Sequence, residues 1–164
     1  MSLIKSISGI RGTIGGRPGE NLTPIDIVKF SAAYGTWIKE RNKSKNKHVI
    51  VIGRDGRISG EMVKKLVMST LCALGIDVID TDFSTTPTVE MAIGFLKADG
   101  GIIITASHNS KEWNALKLLN EKGEFISAKD GSKILELAEK EDFEFAEVGS
   151  LGTITRDETT LDKH

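Results

Sequence analysis

Three short polar loops contain the residues whose types and spacing could do chemistry. They span residues 8–12 (Ser-Gly-Ile-Arg-Gly), 53–57 (Gly-Arg-Asp-Gly-Arg) and 105–110 (Thr-Ala-Ser-His-Asn-Ser). Each loop follows a predicted strand, and in doubly wound sheets the loops at the carboxyl ends of strands bind ligands. Arg11, Arg54 and Arg57 would then meet at one edge of the sheet, where guanidinium groups match the geometry of phosphate. The pattern therefore predicts an anion site, with Lys111 and Lys117 close in sequence to the third loop.

Each loop also has a simpler interpretation when it is taken alone. A Gly-Arg-Asp triplet after a strand is often a surface turn with one ion pair, and residues 105–110 could form an ordinary polar loop. Ser107 lacks the flanking glycines of a hydrolase nucleophile elbow, and its direct neighbour His108 is poorly placed to act as its base. The sequence contains no P-loop and no Gly-x-Gly-x-x-Gly after a strand. Three such loops on strand ends together favour a site over three unrelated turns.

Two other sets of residues receive a structural interpretation. Asp77, Asp80 and Asp82 superficially resemble a metal site, but we expect them to be solvated carboxylates at the end of a strand. Cys72 lies between Leu71 and Leu74 in a predicted helix, and we expect it to fill space in the core.

Strands alternate with helices along the chain and would position these loops. Short apolar runs predict strands at 49–52, 76–79 and 102–104, and one more at 114–119. Apolar residues three and four apart predict helices that begin at Pro24, near Val63, at Pro87 and after Ser127. The third helix should carry Met91, Phe95 and Leu96 on one side. This order predicts an α/β fold, a three-layer α/β/α sandwich with a mainly parallel, mixed sheet.

Length and composition limit the classes of protein that remain. The chain has 164 residues, and 22 Lys and Arg against 23 Asp and Glu give a net charge of −1, which argues against a nucleic-acid partner. The single cysteine excludes an internal disulfide and favours a reducing compartment. No signal-like segment and no apolar run of about 20 residues is present, so we expect a cytoplasmic protein without a membrane partner. Residues 1–149 are predicted to form one domain, and 150–164 a polar tail or the start of a linker to further domains.

Together the loops resemble the motifs of the α-D-phosphohexomutase family, which includes phosphoglucomutase, phosphomannomutase and phosphoglucosamine mutase. The resemblance is to the N-terminal domain of that family, domain I, and spans almost the entire chain. Residues 105–109 resemble its phosphoserine loop, residues 53–57 followed by Ser59 and Gly60 its second motif, and residues 8–12 its N-terminal motif.

Two positions depart from the family pattern. Ser110 stands where the family usually has proline. The absence of proline would leave the loop less stiff. Ala115 replaces the glycine of an aromatic-Asn-Gly-x-Lys segment, so we expect an ordinary backbone there, while Lys117 is retained. The motifs of the family's other three domains are absent, and Gly60-Glu61 only imitates the sugar-selecting loop.

The resemblance implies a catalytic phosphoserine domain of a phosphohexomutase, which interconverts hexose 1-phosphate and 6-phosphate through a bisphosphorylated sugar. Ser107 would carry the phosphoryl group, and its phosphoserine oxygen would be one ligand of Mg²⁺, with the remaining ligands in an absent domain. His108 and Lys117 would exchange protons near the transferring oxygen, and Arg11 would steady the attacking group. The sugar would be glucose, mannose or glucosamine phosphate.

The remaining site residues implied by the resemblance bind phosphate or brace the loop. They are Arg54, Asp55, Arg57 and Asn109. A hexose bisphosphate would act as activator, and the partners would be the sugar phosphate and the remaining domains of the same chain. The chain alone is expected to be inactive. The alternatives are a stand-alone sugar-phosphate binding module and a phosphatase-like hydrolase.

Overall fold

The computed structural model describes residues 1–6 and 9–157, which form one β-sheet flanked by helices. The strands are β1 (Ile4–Ser6), β2 (Gly9–Thr13), β3 (Val49–Arg54), β4 (Asp77–Phe83), β5 (Gly100–Ile104), β6 (Trp113–Leu119) and β7 (Ile154–Arg156). The helices are α1 (Pro24–Arg41), α2 (Gly60–Ala73), α3 (Thr86–Phe95) and α4 (Ala128–Lys140), with a short 3₁₀ helix at Val148–Ser150. The predicted α/β sandwich with a mixed sheet is confirmed.

The strand order, β1-β2-β6-β5-β3-β4-β7, divides the sheet into a parallel and an antiparallel half. Strands β5, β3, β4 and β7 are parallel, whereas β6 is antiparallel to both β5 and β2. The connection between β5 and β6, residues 105–112, is too short for a helical crossover, so β6 returns directly beside β5. This connection therefore lies at the carboxyl edge of the parallel strands.

The two faces of the sheet bury different residues of the same strands. Helices α1, α2 and α4 cover a first face that carries Ile50 and Ile52, while α3 covers Val51 and Ile103 on the second face. Because β3 is buried on both sides, its sequence is a continuous apolar run rather than an alternating one. The alternation is visible on β6, where Leu116 belongs to the core of the first face and Leu119 to that of the second.

A buried tyrosine ties α1 to the two strands that carry the loop of residues 105–112. The hydroxyl of Tyr34 donates to the carbonyl oxygen of Leu119 at 2.5 Å and lies 3.1 Å from that of Gly101. A side chain at Gly100 would collide with this hydroxyl, so the strand needs glycine there. Burial raises the pKa of Tyr34 well above its usual range, and the group stays protonated as a donor.

The helix starts follow from capping side chains. Thr23 and Asp26 form a capping box at α1, and Ser127 caps α4 by accepting from the backbone N–H of Asp130. Helix α3 begins one residue before the predicted Pro87, because Thr85 is its N-cap.

The three residues predicted to share an apolar side of the third helix have different environments, because Leu96 packs against the core of the second face and the other two do not. Met91 and Phe95 are 45% and 46% exposed, and Val89, Ala92 and Ile93 pack on the sheet instead. Apolar residues four positions apart, such as Met91 and Phe95, share one side of a helix. Their spacing does not show whether that side is buried, and here it is exposed.

The sheet extends beyond the predicted boundary at residue 149. Strand β7 pairs in parallel with β4, with Val78 opposite Ile154, and it contains one apolar residue, 48% exposed. Such a short polar edge strand has no apolar run that a sequence pattern could detect. Residues 158–164 of the predicted tail, and Ser8 of the N-terminal motif, lie outside the described residues. Within the described part of the chain, no helix combines the length and apolar character that crossing a bilayer requires.

Candidate active site

Ser107 lies exposed in the loop that follows β5, in an unusual backbone conformation. Its φ angle is +53°, in the left-handed region that residues other than glycine seldom adopt. The loop is anchored on both sides, because Thr105 N–H donates to the carbonyl of Ala115 and Trp113 N–H donates to that of Ser110. The serine hydroxyl is thus presented to solvent from a backbone that is hydrogen-bonded around it.

Lys117 is the cation nearest to this hydroxyl. Its Nζ lies 2.7 Å from Ser107 Oγ, a hydrogen bond between residues ten apart in the sequence. Lys117 is opposite Gly9 on β2, where a side chain would collide with the carbonyl of Leu116, so the close approach of the two strands needs glycine. An ammonium group at this distance can stabilise negative charge on a serine oxygen and on groups attached to it.

Arg11 approaches the same place from β2. Because Gly9 pairs with Lys117 and Arg11 with Ala115, Arg11 and Lys117 are diagonal neighbours on the second face. The Arg11 side chain is exposed, and its guanidinium lies 5.9 Å from the ring centre of Trp113. Lys117 therefore contacts Ser107 directly, and Arg11 adds a second exposed cation on the neighbouring strand.

Arg57 holds the loop through its backbone. All five guanidinium N–H donors have acceptors: Nε donates to Asp55 Oδ2 at 3.2 Å, Nη1 to the carbonyls of Ser110 (2.7 Å) and Trp113 (3.2 Å), and Nη2 to those of Ser107 (2.9 Å) and Asn109 (2.8 Å). The side chain is 11% exposed. Its charge is thus neutralised by one carboxylate and four carbonyl dipoles, and the guanidinium is not offered to an external anion.

Two other residues of the predicted site play different parts. Asn109 contributes its backbone, since its N–H donates to the carbonyl of Ala106 and its own carbonyl accepts from Arg57. The side chain of His108 is exposed and makes no hydrogen bond with the described residues, so it is available to an incoming group. The structure therefore joins Ser107 and Lys117 by a hydrogen bond, with Arg11 diagonal to Lys117 on the neighbouring strand and His108 next to Ser107 in the chain.

Arg54 lies behind the loop in a buried ionic cluster instead of facing an anion. The residue is 8% exposed; its Nε donates to Asp82 at 2.9 Å and its Nη2 to Glu61 at 3.0 Å. Its guanidinium also stacks 4.1 Å from the ring centre of Phe83. Three different groups already hold this arginine, so its contribution is to support the start of the 53–57 loop.

The prediction that Asp80 and Asp82 are solvated was wrong. They are 5% and 7% exposed, and Lys64 of α2 lies 3.0 Å from Asp80 and 2.8 Å from Asp82. Strand β4 continues to Phe83, beyond the predicted end at residue 79, and so carries both carboxylates beneath α2. Asp77, at the first position of β4, is half-buried and accepts from Thr153 N–H.

The cluster shifts the titration of its members. Burial alone would raise the pKa of Asp82, but hydrogen bonds from Lys64 and Arg54 outweigh burial and hold that pKa below its ordinary value of 3.8. Burial alone would lower the pKa of Lys64, but its hydrogen bonds to Asp82 and Asp80 raise it above 10.5. Arg156 of β7 donates to the second oxygen of Asp82 at 3.1 Å, which connects the end of the described chain to this cluster.

Sequence reasoning missed two residues that join the motifs. Thr105 Oγ1 donates to Asp55 Oδ2 at 2.6 Å and accepts from the N–H of Ser107 at 3.1 Å. Asn114, fully buried, donates from Nδ2 to Ser59 Oγ at 2.8 Å and so joins β6 to the start of α2. The sequence did offer a sign of the role of Thr105. It has a short hydroxyl side chain two residues before Ser107, and such side chains accept hydrogen bonds from nearby backbone N–H groups.

Comparison with known proteins agrees with this geometry. The family model described as phosphoglucomutase/phosphomannomutase, alpha/beta/alpha domain I, matches residues 3–145. The chain belongs to this family.

Relatives in the phosphoglucomutase/phosphomannomutase family match almost all of this chain but only part of their own length. A phosphoglucomutase/phosphomannomutase of Thermococcus kodakarensis is 37% identical over 149 residues, which cover 90% of this chain and 32% of that protein. A probable phosphoglucosamine mutase of Pyrococcus abyssi is 37% identical over 147 residues, which cover 90% and 30%. The chain spans about one third of the length of the curated relatives it matches.

Solved structures show the same fold. A phosphoglucomutase/phosphomannomutase family protein of Burkholderia thailandensis superposes with a TM-score of 0.80 at 22% identity, over 98% of this chain and 34% of that one. A putative phosphomannomutase of Thermus thermophilus superposes with a TM-score of 0.77 at 25% identity, over 97% and 34%.

This phosphoglucomutase/phosphomannomutase domain does not supply a complete metal site from its described residues. No group of three or more His, Cys, Asp or Glu side chains there could hold a metal ion. Asp55, a carboxylate close to the loop, already accepts from Thr105 and Arg57. A phosphoryl group on Ser107 would add one oxygen donor, whereas Mg²⁺ requires about six.

Proposed function

We propose that this chain is the phosphoserine domain of a phosphohexomutase, in which Ser107 accepts a phosphoryl group and returns it to a hexose phosphate. The observation that carries the proposal is the 2.7 Å contact between Lys117 Nζ and the exposed Ser107 Oγ, on a loop braced by Arg57. Family membership supports it. The relatives' names include phosphoglucomutase, phosphomannomutase and phosphoglucosamine mutase, so hexose phosphates are the substrate class we propose.

The reaction on Ser107 is a phosphoryl transfer in each direction. In one direction the Oγ–P bond forms as the bond between phosphorus and a sugar oxygen breaks, and the hydroxyl proton of Ser107 passes to that sugar oxygen. On return the Oγ–P bond breaks as phosphorus bonds to the hydroxyl at the other position of the sugar, whose proton passes back to Ser107. Net turnover moves phosphate between the 1- and 6-positions through a bisphosphorylated sugar. Such transfers depend on positioning and charge stabilisation more than on covalent help from the protein.

The described residues provide both requirements. Lys117 contacts the oxygen that bonds to phosphorus, and Arg11 lies diagonally next to it on the second face. Phosphoserine carries a charge of about −1.5 to −2 near neutral pH, so Lys117, with Arg11 on the neighbouring strand, would stabilise the phosphorylated form. His108 is exposed beside Ser107, where it can exchange a proton with the departing or attacking sugar oxygen.

The cofactor, activator and partners follow from the same proposal. Mg²⁺, when bound to a phosphoserine oxygen, would neutralise charge on the transferring group. A hexose bisphosphate would load Ser107 with its first phosphoryl group. The other metal ligands and the sugar-selecting residues would come from further domains, corresponding to the two thirds of the relatives that this chain does not match. A cytoplasmic location stays a prediction.

Intact-mass spectrometry after incubation with glucose 1,6-bisphosphate and Mg²⁺ tests the proposal. A gain of about 80 Da is expected, the mass of one phosphoryl group. The gain should be lost in Ser107→Ala and kept in Ser110→Ala, which removes another exposed hydroxyl of the same loop. Steady release of inorganic phosphate would favour the hydrolase alternative, and binding of hexose phosphate without any mass gain would favour the binding module.

A further inference from the structure

The conformation of Ser107 needs a specific cause. Four residues other than glycine have positive φ in the described part of the chain: Asp82, Lys97, Ser107 and Glu141. Glu141 is the C-cap of α4, and Lys97 follows the C-cap of α3, where left-handed residues are common. Ser107 lies at no helix end, and the left-handed region is unfavourable for a residue with a Cβ atom. Neighbouring groups must therefore stabilise it.

The side chain of Thr105 contacts the strained backbone at its N–H group. Its Oγ1 accepts from the N–H of Ser107 at 3.1 Å. Thr105 is 8% exposed, and its own N–H donates to the carbonyl of Ala115 on β6, so its backbone is fixed to the sheet. A β-branched side chain on a fixed backbone has few rotamers, and the hydroxyl oxygen is held in place.

The direction of this hydrogen bond is also determined. Thr105 Oγ1 has a single proton, and it donates that proton to Asp55 Oδ2 at 2.6 Å. Asp55 accepts from the backbone N–H of Arg57 at 3.1 Å and from its Nε at 3.2 Å, so the carboxylate is itself fixed. Because an ionised carboxylate can only accept, the lone pairs of Thr105 are left for the N–H of Ser107.

We infer that Thr105 is a positioning residue that holds Ser107 in its left-handed conformation, with Asp55 setting the direction of the hydrogen bond. The consequence for phosphoryl transfer rests on the proposed function. The inference about the conformation rests on the described contacts alone. A threonine at 105 thus determines where Ser107 Oγ lies relative to Lys117.

Two substitutions separate the hydroxyl from the bulk of the side chain. Thr105→Val keeps the branched shape and removes the hydroxyl, while Thr105→Ser keeps the hydroxyl and removes the methyl group. Amide hydrogen exchange of the folded chain, followed by NMR, measures the Ser107 N–H directly. We expect exchange at Ser107 to become at least about tenfold faster in Thr105→Val and to stay close to wild type in Thr105→Ser. Unchanged exchange at Ser107 in a folded Thr105→Val chain would overturn the inference.

Phosphoryl uptake on Ser107, measured by mass, supplies a second readout. The initial rate should fall in Thr105→Val and recover in Thr105→Ser. If Thr105 only stabilised the fold, its replacement would lower the melting temperature, and the rate of phosphoryl uptake would not recover in Thr105→Ser. Equal rates in all three chains would also overturn the inference. If wild type takes up no phosphoryl group while exchange at Ser107 responds as expected, the proposed function fails and the positioning by Thr105 stands. If Thr105→Val does not fold, Asp55→Asn tests the same bond, because it replaces one of two accepting oxygens by an NH₂ group that only donates. Exchange at Ser107 should then be faster, and unchanged exchange would overturn the inference.

Discussion

Arg57 Nη2 lies 2.9 Å from the carbonyl oxygen of Ser107, although fifty residues separate the two in sequence. The same guanidinium binds the carbonyls of Asn109 and Ser110 in the loop, that of Trp113 at the start of β6, and the carboxylate of Asp55, so each of its donors is used. A planar fork with five donors is a property of arginine that lysine lacks.

Arg57→Lys is therefore expected to damage the site although it keeps the charge. An ammonium group has three donors and cannot reach acceptors on both sides of the loop. We expect the free energy of unfolding to fall by about 1.5–3 kcal/mol, the range for hydrogen bonds to charged groups, and phosphoryl uptake on Ser107 to slow. Chemical denaturation and intact-mass kinetics measure the two effects. Arg17→Lys, at an exposed arginine, is the matched control and should change neither.

The positive φ of Ser107 predicts an unusual order of stability among its variants. Glycine adopts this conformation without the cost of a Cβ atom, so Ser107→Gly should be more stable than Ser107→Ala by about 1 kcal/mol. Ser110, in the same loop, is not among the positive-φ residues, and there alanine should be the more stable of the two. Urea denaturation of the four variants decides the point. The same order at both positions would contradict a left-handed Ser107.

Lys117→Met should slow phosphoryl transfer without unfolding the domain. The methionine keeps much of the apolar stem of a lysine and loses the ammonium group that contacts Ser107 Oγ at 2.7 Å. Proton transfer and charge stabilisation by one side chain are worth about 10²–10⁴ in rate, and we expect a loss in that range. Lys111→Met, at an exposed lysine of the same loop, is the control. Similar losses in both variants would show that general charge, and not contact, matters.

Asp82→Asn should be strongly destabilising. It leaves Lys64 and Arg54 buried with one carboxylate fewer, and removal of one partner from a buried ion pair costs roughly 3–5 kcal/mol. Asparagine tolerates the left-handed φ of Asp82, so the loss reports charge and not backbone strain. Asp77→Asn, on the same strand but half-buried, should cost far less.

The difference between wild type and Asp82→Asn should also depend on pH. Because the pKa of Asp82 in the folded chain is held below 3.8, its stabilising contribution is present above that value and is lost as the pH falls through the lowered pKa. Denaturation at a series of pH values from neutral to acid measures the difference. It should be constant near neutrality and shrink in strong acid. A difference that grows in acid would contradict the assigned direction.

The chain by itself should interconvert hexose 1-phosphate and 6-phosphate very slowly. It supplies the serine, but its described residues contain no carboxylate cluster for Mg²⁺, and correct placement of a bound sugar is worth about 7–11 kcal/mol. The assay uses glucose 1-phosphate, Mg²⁺ and a trace of glucose 1,6-bisphosphate, with the relative from Thermococcus kodakarensis as reference. Turnover close to that of the reference would show that the domain is self-sufficient.

The apolar runs predicted the centre of the sheet well because both of its faces are buried. Val49–Arg54 and Gly100–Ile104 are mostly apolar strands with no helical or alternating period to compete with that interpretation. A strand was predicted before residues 8–12, where β1 lies, but β7 could not be predicted, because three exposed residues at an edge carry no periodic signal. The depth of Asp80 and Asp82 could not be predicted either, since it depends on Lys64 reaching them from another element.

For the candidate site, the sequence predicted the segments that meet but not the partners within them. The N-terminal segment was wrongly predicted as a loop, because Gly9–Thr13 form strand β2 and pair with β6. Ser107 lies in the loop that connects β5 to β6, and Lys117 lies on β6 ten residues later, so their proximity follows from a hairpin. The roles of Arg54 and Arg57 depend on long-range contacts. Arg54 ends β3 and turns into a buried cluster, whereas Arg57, three residues later, turns into the loop carbonyls. Two identical side chains so close in sequence give no sign of that difference.

Where β2 pairs with β6, the alternation of side chains along the two strands forms both the core and the site. Residues with even numbers, such as Ile10 and Leu116, pack in the core, and those with odd numbers, such as Arg11 and Lys117, carry the site. Inserting or deleting a single residue within either strand would exchange the two sets, burying the cations and exposing the apolar side chains. Evolution can therefore lengthen the loops around this domain, but it cannot shift these two strands without losing stability and chemistry in the same event.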